Sequence, residues 1–180
     1  MRERKTRLLN ADALWEFALK TLGGRAHSTG ELRDKLRRRA ERVTDVDELL
    51  TRLKEYGYLD DRRFSETYAT ARLTNQRLGR ARVVQDLRQR RVAPALAEQT
   101  VTRVYQDVDE VALIEEYIRR KYRTAPREDL FQEPKDLAAA YRRLLRAGFK
   151  TGPIVSVLKR FAKDPGLLDS FEPPEEAASE

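Results

Sequence analysis

The chain repeats itself, and the repeat is the strongest limit on its fold. Shifted by 51 residues, its apolar positions fall on one another: Phe17 meets Tyr68, Ala18 meets Ala69, Leu22 meets Leu73, Leu36 meets Leu87, Leu50 meets Val101 and Leu53 meets Val104. A second shift continues the series, taking Tyr68 to Tyr117 and Leu73 to Tyr122 at 49 residues, then Leu87 to Leu144, Val101 to Leu158 and Val104 to Phe161 at 57. The change of shift places an insertion between Tyr122 and Asp136, where Pro126 and Pro134 mark a loop or broken helix. Periods of this length belong to arrays of one supersecondary unit.

Each unit reads as three helices. In the first, Leu14, Phe17, Ala18 and Leu22 form a one-faced stripe at helical spacing, and Gly23-Gly24 is expected to end the helix with left-handed backbone. Ser28 and Glu31 then stand at the two positions of a capping box. Leu32 and Leu36 give the second helix its buried edge, Val46, Leu49, Leu50 and Leu53 the third, and Gly57 stops it. The second unit reads as helices from about Asp60 to Gln76, from Gly79 to Arg91, and from Pro94, a first-turn proline. The third uses Val111 to Tyr122, Lys135 to Ala147 and Thr151 to Lys163. Ser28, Gly79 and Asp136 correspond as N-cap positions. No segment alternates over strand length.

The expected fold is all-α: three tandem three-helix repeats over 10–58, 59–107 and 108–163, an inserted loop at 124–134 and an acidic, frayed tail at 164–180. Units of this size bury too little surface to stand alone. Stacked in a row they complete one another's cores, as an elongated, curved modular rod. The composition agrees, with 40% apolar and 37% charged residues against roughly 45–50% and about 25% in globular domains.

Charge narrows the function classes. The net charge is +7, yet the tail holds Asp164, Asp169, Glu172, Glu175, Glu176 and Glu180 and no basic residue, so the remainder is more basic still. An arginine-rich, basic chain suits an anionic partner, either nucleic acid or an acidic protein groove. Cysteine is absent and His27 is the one histidine, which excludes disulfides, thiolate catalysis and cysteine- or histidine-rich metal sites. No apolar stretch spans a bilayer and no apolar leader follows Met1, so a cytoplasmic chain is expected.

The candidate contact residues are arginines that recur at one register. Arg33 and Arg37 share a row on the second helix of the first unit and Arg38 widens it, while Arg25 precedes that helix. The equivalent helix of the second unit carries Arg80, Arg82, Arg88, Arg90 and Arg91, with Arg72 and Arg77 just before it and Arg37 matching Arg88. Arg142, Arg143 and Arg146 continue the charge less regularly. The adjacent Asp60 and Asp61 do not read as an acid pair: Asp60 reads as a helix cap, with Leu59 and Phe64 as the jaws of a staple. His27 reads as a packing residue and Trp15, Phe17, Tyr68 and Tyr117 as core. Tyr56 and Tyr122 are candidates for a contact role.

A family resemblance rests on particular runs. Arg25-Ala26-His27-Ser28-Thr29-Gly30-Glu31-Leu32 followed by Leu36, the junction Gly57-Tyr58-Leu59-Asp60-Asp61-Arg62-Arg63-Phe64, Gly79-Arg80-Ala81-Arg82-Val83 with Asp86-Leu87, and Gly148-Phe149 together resemble the RecX family, regulators of the RecA recombinase. Arg91 departs from the pattern, standing where many relatives have glycine, and Gly30 sits in a first helical turn. The resemblance implies a non-enzymatic regulator that needs no cofactor. It would bind the RecA filament along its groove or at its growing end and inhibit extension, ATP hydrolysis and strand exchange. Single- or double-stranded DNA would be a further contact, no membrane would be involved, and the chain would act as a monomer. The alternative is a tandem helical DNA-binding protein, such as a repressor or a nonspecific binder.

Overall fold

Apolar spacing of three and four residues becomes helix throughout the computed structural model, which describes residues 8–123, 130–131 and 133–161. In chain order the helices are α1 Ala11–Gly24, α2 Thr29–Arg37 and α3 Thr44–Glu55; α4 Asp61–Ala71, α5 Arg80–Gln89 and α6 Pro94–Val104; and α7 Glu110–Lys121, α8 Pro134–Arg146 and α9 Thr151–Phe161. A π-helical turn, Arg72–Gln76, follows α4. Among the described residues there is no strand; Leu9 and Ala40 form an isolated bridge. Most of the inserted loop and the whole acidic tail lie outside the described residues.

The chain divides into two units, Met1–Ala69 with Gln85–Arg103, and Thr70–Val84 with Val104–Glu180. In the first, Leu14 and Ala18 of α1, Leu32 and Leu36 of α2, and Val46, Leu49, Leu50 and Leu53 of α3 form one buried cluster closed by Leu59. In the second, Leu113, Ile114, Tyr117 and Ile118 of α7 meet Leu137, Ala140, Tyr141 and Leu144 of α8 and Ile154, Val157 and Leu158 of α9. The stripes seen in the sequence are these faces.

Helix ends separate what local chemistry predicts from what it misses. The capping box forms: Ser28 Oγ accepts from the Glu31 amide at 3.0 Å and the Ser28 amide donates to the Glu31 carboxylate at 3.3 Å. Asp60 caps α4, accepting from the amides of Arg62 and Arg63 at 2.9 and 3.0 Å. Gly57 stops α3 at φ 72°. Gly23-Gly24 does not end α1 in left-handed backbone, however; both glycines are helical and Arg25 follows in extended geometry, so the chain leaves α1 by straightening. Asp136 is not the cap of α8, because Pro134 starts that helix and leaves Glu133 in the cap position and Asp136 in the first turn.

One joint recurs, once inside each unit. In the first, Ser28 Oγ donates to the carbonyl of Arg90, and Gly30 lies so close to Arg91 that a Cβ would press on the Arg91 carbonyl. In the second, the Gly79 amide donates to the Ala147 carbonyl at 2.8 Å and the Ala81 amide to Gly148 at 3.2 Å. Ser28 and Gly79 are repeat equivalents, as are Arg90 and Ala147. Glycine in the first turn of α2, a poor helix former, is there because the backbones nearly touch. Arg91 and Gly148 are equivalents too, at φ 59° and 90°, so Arg91 takes the left-handed backbone that glycine provides in the other unit.

Candidate functional site

The arginines picked out by register separate into those that hold the fold together and those left to solvent. Glu31 is the centre of the first group. Arg25 meets its carboxylate with two nitrogens at 3.2 Å each, and Arg90 reaches it at 3.3 Å. Arg90 also lies over the ring of Tyr68, 4.8 Å from the centroid. Asp61, beside the Asp60 cap, accepts from the Thr29 amide at 2.7 Å and so completes the start of α2. The Gly57–Phe64 run therefore works structurally: Leu59 is buried, Phe64 stacks on Tyr68 at 6.1 Å, and Tyr58 is exposed.

Burial dominates in lowering the pKa of His27, with the charges of Arg25 and Lys35 adding to it against the Arg25 carbonyl bond and Glu31. Its Nδ1 donates to Arg25 at 2.9 Å, while Nε2 is buried without a partner. Burial would raise the Glu31 carboxyl, yet the Arg25 and Ser28 hydrogen bonds and the charges of Arg25 and Arg90 outweigh it and hold the group below the ordinary 4.5. Both shifts act in one direction. The unfolded chain takes up a proton at His27 from about pH 6.5 downward while the folded chain resists. Stability is therefore full above that pH, declines below it, and declines further below about 4.5 as Glu31 protonates. Urea midpoints are expected to fall between about pH 7 and pH 5.5, and to fall less in His27→Asn, which keeps a donor for Arg25. A wild-type midpoint constant across that window would refute the assignment.

The remaining arginines are more open. On α2, Arg33 reaches Asp47 at 3.3 Å, whereas Arg37 and the C-cap Arg38 are exposed and form no ion pair among the described residues. On α5, Arg88 pairs with Glu98 at 3.0 Å and Arg91, just beyond, with Asp34 at 3.3 Å. Arg80 is exposed and Arg82 half-buried. In the second unit Arg142 and Arg146 face solvent on α8, and Arg143 lies 5.5 Å from the Tyr122 ring. Arg72 is half-buried in the π turn. Arg77 pairs with Glu116 at 2.5 Å.

Of the two aromatic candidates, Tyr56 is 62% exposed and meets Trp15 edge-on at 5.9 Å. Tyr122 packs on the second core, 5.5 Å from Phe131. Burial also raises the pKa of Tyr105, whose hydroxyl donates to the Leu78 carbonyl at 2.8 Å. A basic hollow in the second unit escaped the register argument. Arg119 and Arg120 line it beside Arg77, and the run Arg119-Arg120-Lys121 at the end of α7 was its sequence signal. Among the described residues, no three His, Cys, Asp or Glu side chains gather as they would to hold a metal, and no helix is long and apolar enough to cross a membrane.

Residues 60–101 match the family model of the second three-helix domain of RecX. The chain is 33% identical over 178 residues to the regulatory protein RecX of Deinococcus radiodurans, covering 98% of this chain and 78% of that one. A second regulatory protein RecX, from Herminiimonas arsenicoxydans, is 30% identical over 79% of this chain and 88% of its own. The crystal structure of RecX from Lactobacillus salivarius shares the fold, with a TM-score of 0.63 at 18% identity over 84% of this chain and 96% of that chain.

Proposed function

The chain belongs to the RecX family of regulatory proteins, and on that premise we propose that it binds the RecA recombinase filament and restrains it without catalysis of its own. Bound along the filament groove or at the growing end, it slows filament extension, ATP hydrolysis and strand exchange in the cytoplasm. The observation that carries this reading is the solvent-facing arginines on and just after the second helix of a repeat, Arg37 and Arg38 at the end of α2 and again Arg142 and Arg146 on α8, none of which has an ion pair among the described residues. Exposed guanidinium groups are available to acidic side chains on a protein surface and to DNA phosphates.

The test is DNA-dependent ATP hydrolysis by RecA with the chain added at stoichiometric amounts. Hydrolysis is expected to fall as the chain is titrated, and filaments pulled down with their DNA should carry the chain with them. Unaltered hydrolysis and filament length, with no chain in the pellet, would overturn the proposal.

A further inference from the structure

A hollow of about 380 Å³ opens in the second unit between Thr74, Arg77, Glu116, Arg119 and Arg120. Two features of the chain build it. After α4 the backbone widens into the π-helical turn Arg72–Gln76, and Arg77 closes that turn in left-handed backbone at φ 55°, ψ 39°. Short π segments are rare and gather at functional sites, and a bulky residue in left-handed backbone persists only where its surroundings impose it. Here the surroundings hold the Arg77 side chain. Its Nη1 donates to the carbonyls of Leu73 and Thr74, and its Nε pairs with Glu116 at 2.5 Å.

The opposite wall comes from the last turn of α7. Cations are at home at a helix C-terminus, which accounts for Arg119 and Arg120 being there but not for Arg77 standing against them. Arg119 is loosely tied: its partner Glu115 lies at 3.7 Å and is held closer, at 2.8 Å, by Arg160. Arg120 is exposed and has no ion pair among the described residues. In the lining of the hollow, three guanidinium groups therefore stand beside one carboxylate, Glu116.

We propose that this hollow is a phosphate-binding site. Planar guanidinium forks suit the several oxygens of a phosphate group, and the volume lies in the range that accepts a small ligand group. Among the described residues no aromatic ring lines the hollow, so none of them stacks on a base there, and recognition is of the phosphate itself. That phosphate is carried either by the backbone of a nucleic-acid strand or by a free polyphosphate anion. Arg77 is the preset wall, Arg119 and Arg120 close on the anion, and Glu116 weakens the site by repulsion.

The experiment uses the full chain and no recombinase, so its outcome is separate from that of the filament reading. A fluorescein-labelled single-stranded oligonucleotide is titrated by anisotropy and tripolyphosphate by calorimetry, against wild type, Arg119→Ala/Arg120→Ala, Glu116→Gln and an exposed control pair remote in sequence, Arg62→Ala/Arg63→Ala. The Arg119/Arg120 variant is expected to bind at least one probe about tenfold more weakly. For the strand its log–log salt slope should be smaller by about 1.4, the value for two lost phosphate contacts. Glu116→Gln should bind about threefold more tightly through loss of a like charge. Loss for the oligonucleotide alone names the strand as the source, and loss for tripolyphosphate alone names the free anion. Binding of both probes within about twofold of wild type by the Arg119/Arg120 variant, or an equal loss in the control pair, would overturn the site.

Discussion

Gly148→Ala is expected to lower the stability of the chain by about 3 kcal/mol, combining ~1–2 for a side chain in left-handed backbone with ~1–3 for overpacking. Gly148 stands at φ 90°, and a Cβ there would lie 2.6 Å from the Cβ and 2.9 Å from the Cα of Arg82. Neither can yield, since both belong to the first turn of α5. Gly79 faces the same contact from the other side: its own Cβ would stand 2.6 Å from the Phe149 amide nitrogen, so Gly79→Ala should behave alike. Gly152, with nothing within 4 Å, is the control, and Gly152→Ala on α9 should leave stability unchanged or raise it by up to about 1 kcal/mol. Urea denaturation followed by circular dichroism reads all three. Equal midpoints for Gly148→Ala and wild type would refute the close approach.

Reversing charge at Arg37 and Arg88 together is expected to weaken inhibition of the RecA ATPase at least tenfold, or about 1.4 kcal/mol, with helical content intact. Arg37 is exposed and has no ion pair among the described residues, so Arg37→Glu leaves none of their buried groups without a partner. Arg88 gives up an exposed pair with Glu98, a contact worth about 0–1 kcal/mol, and Arg88→Glu sets like charges together at comparable cost. The fold should therefore survive while an acidic target is repelled. Raising salt should shrink the difference between variant and wild type, because exposed charges are screened over about 8–10 Å near physiological ionic strength. A doubly reversed chain that inhibits like wild type would remove α2 and the end of α5 from the contact face.

What could be read in the sequence was what neighbouring residues decide among themselves. The stripe of Val46, Leu49, Leu50 and Leu53, the box of Ser28 and Glu31, the cap at Asp60 and the stop at Gly57 all depend on partners within a turn or two. Local chemistry misplaced two helix ends, at Gly24 and at Pro134; the rest depends on partners far along the chain. Gly30 is a poor helix former whose reason is Arg91, and Asp61 stands beside the local Asp60 cap but gives its oxygen to the Thr29 amide. Arg25 and Arg90 share the charge of the contact candidates, and charge alone does not show that Glu31 claims them both. The π turn at Arg72–Gln76 has no composition of its own, and without it Arg77, Arg119 and Arg120 did not read as one hollow.

The joint at Gly79 and Gly148 has a consequence for how such chains can be taken apart and rebuilt. Its hydrogen bonds run from main-chain amides to main-chain carbonyls, and its fit needs only that two positions carry no side chain. Such a seam takes no account of the side chains on either side of it. Segments grafted from distant relatives should seat on this one wherever that glycine pair is kept, whatever cations they bring, so the working surface can be exchanged while the seam stays as it is.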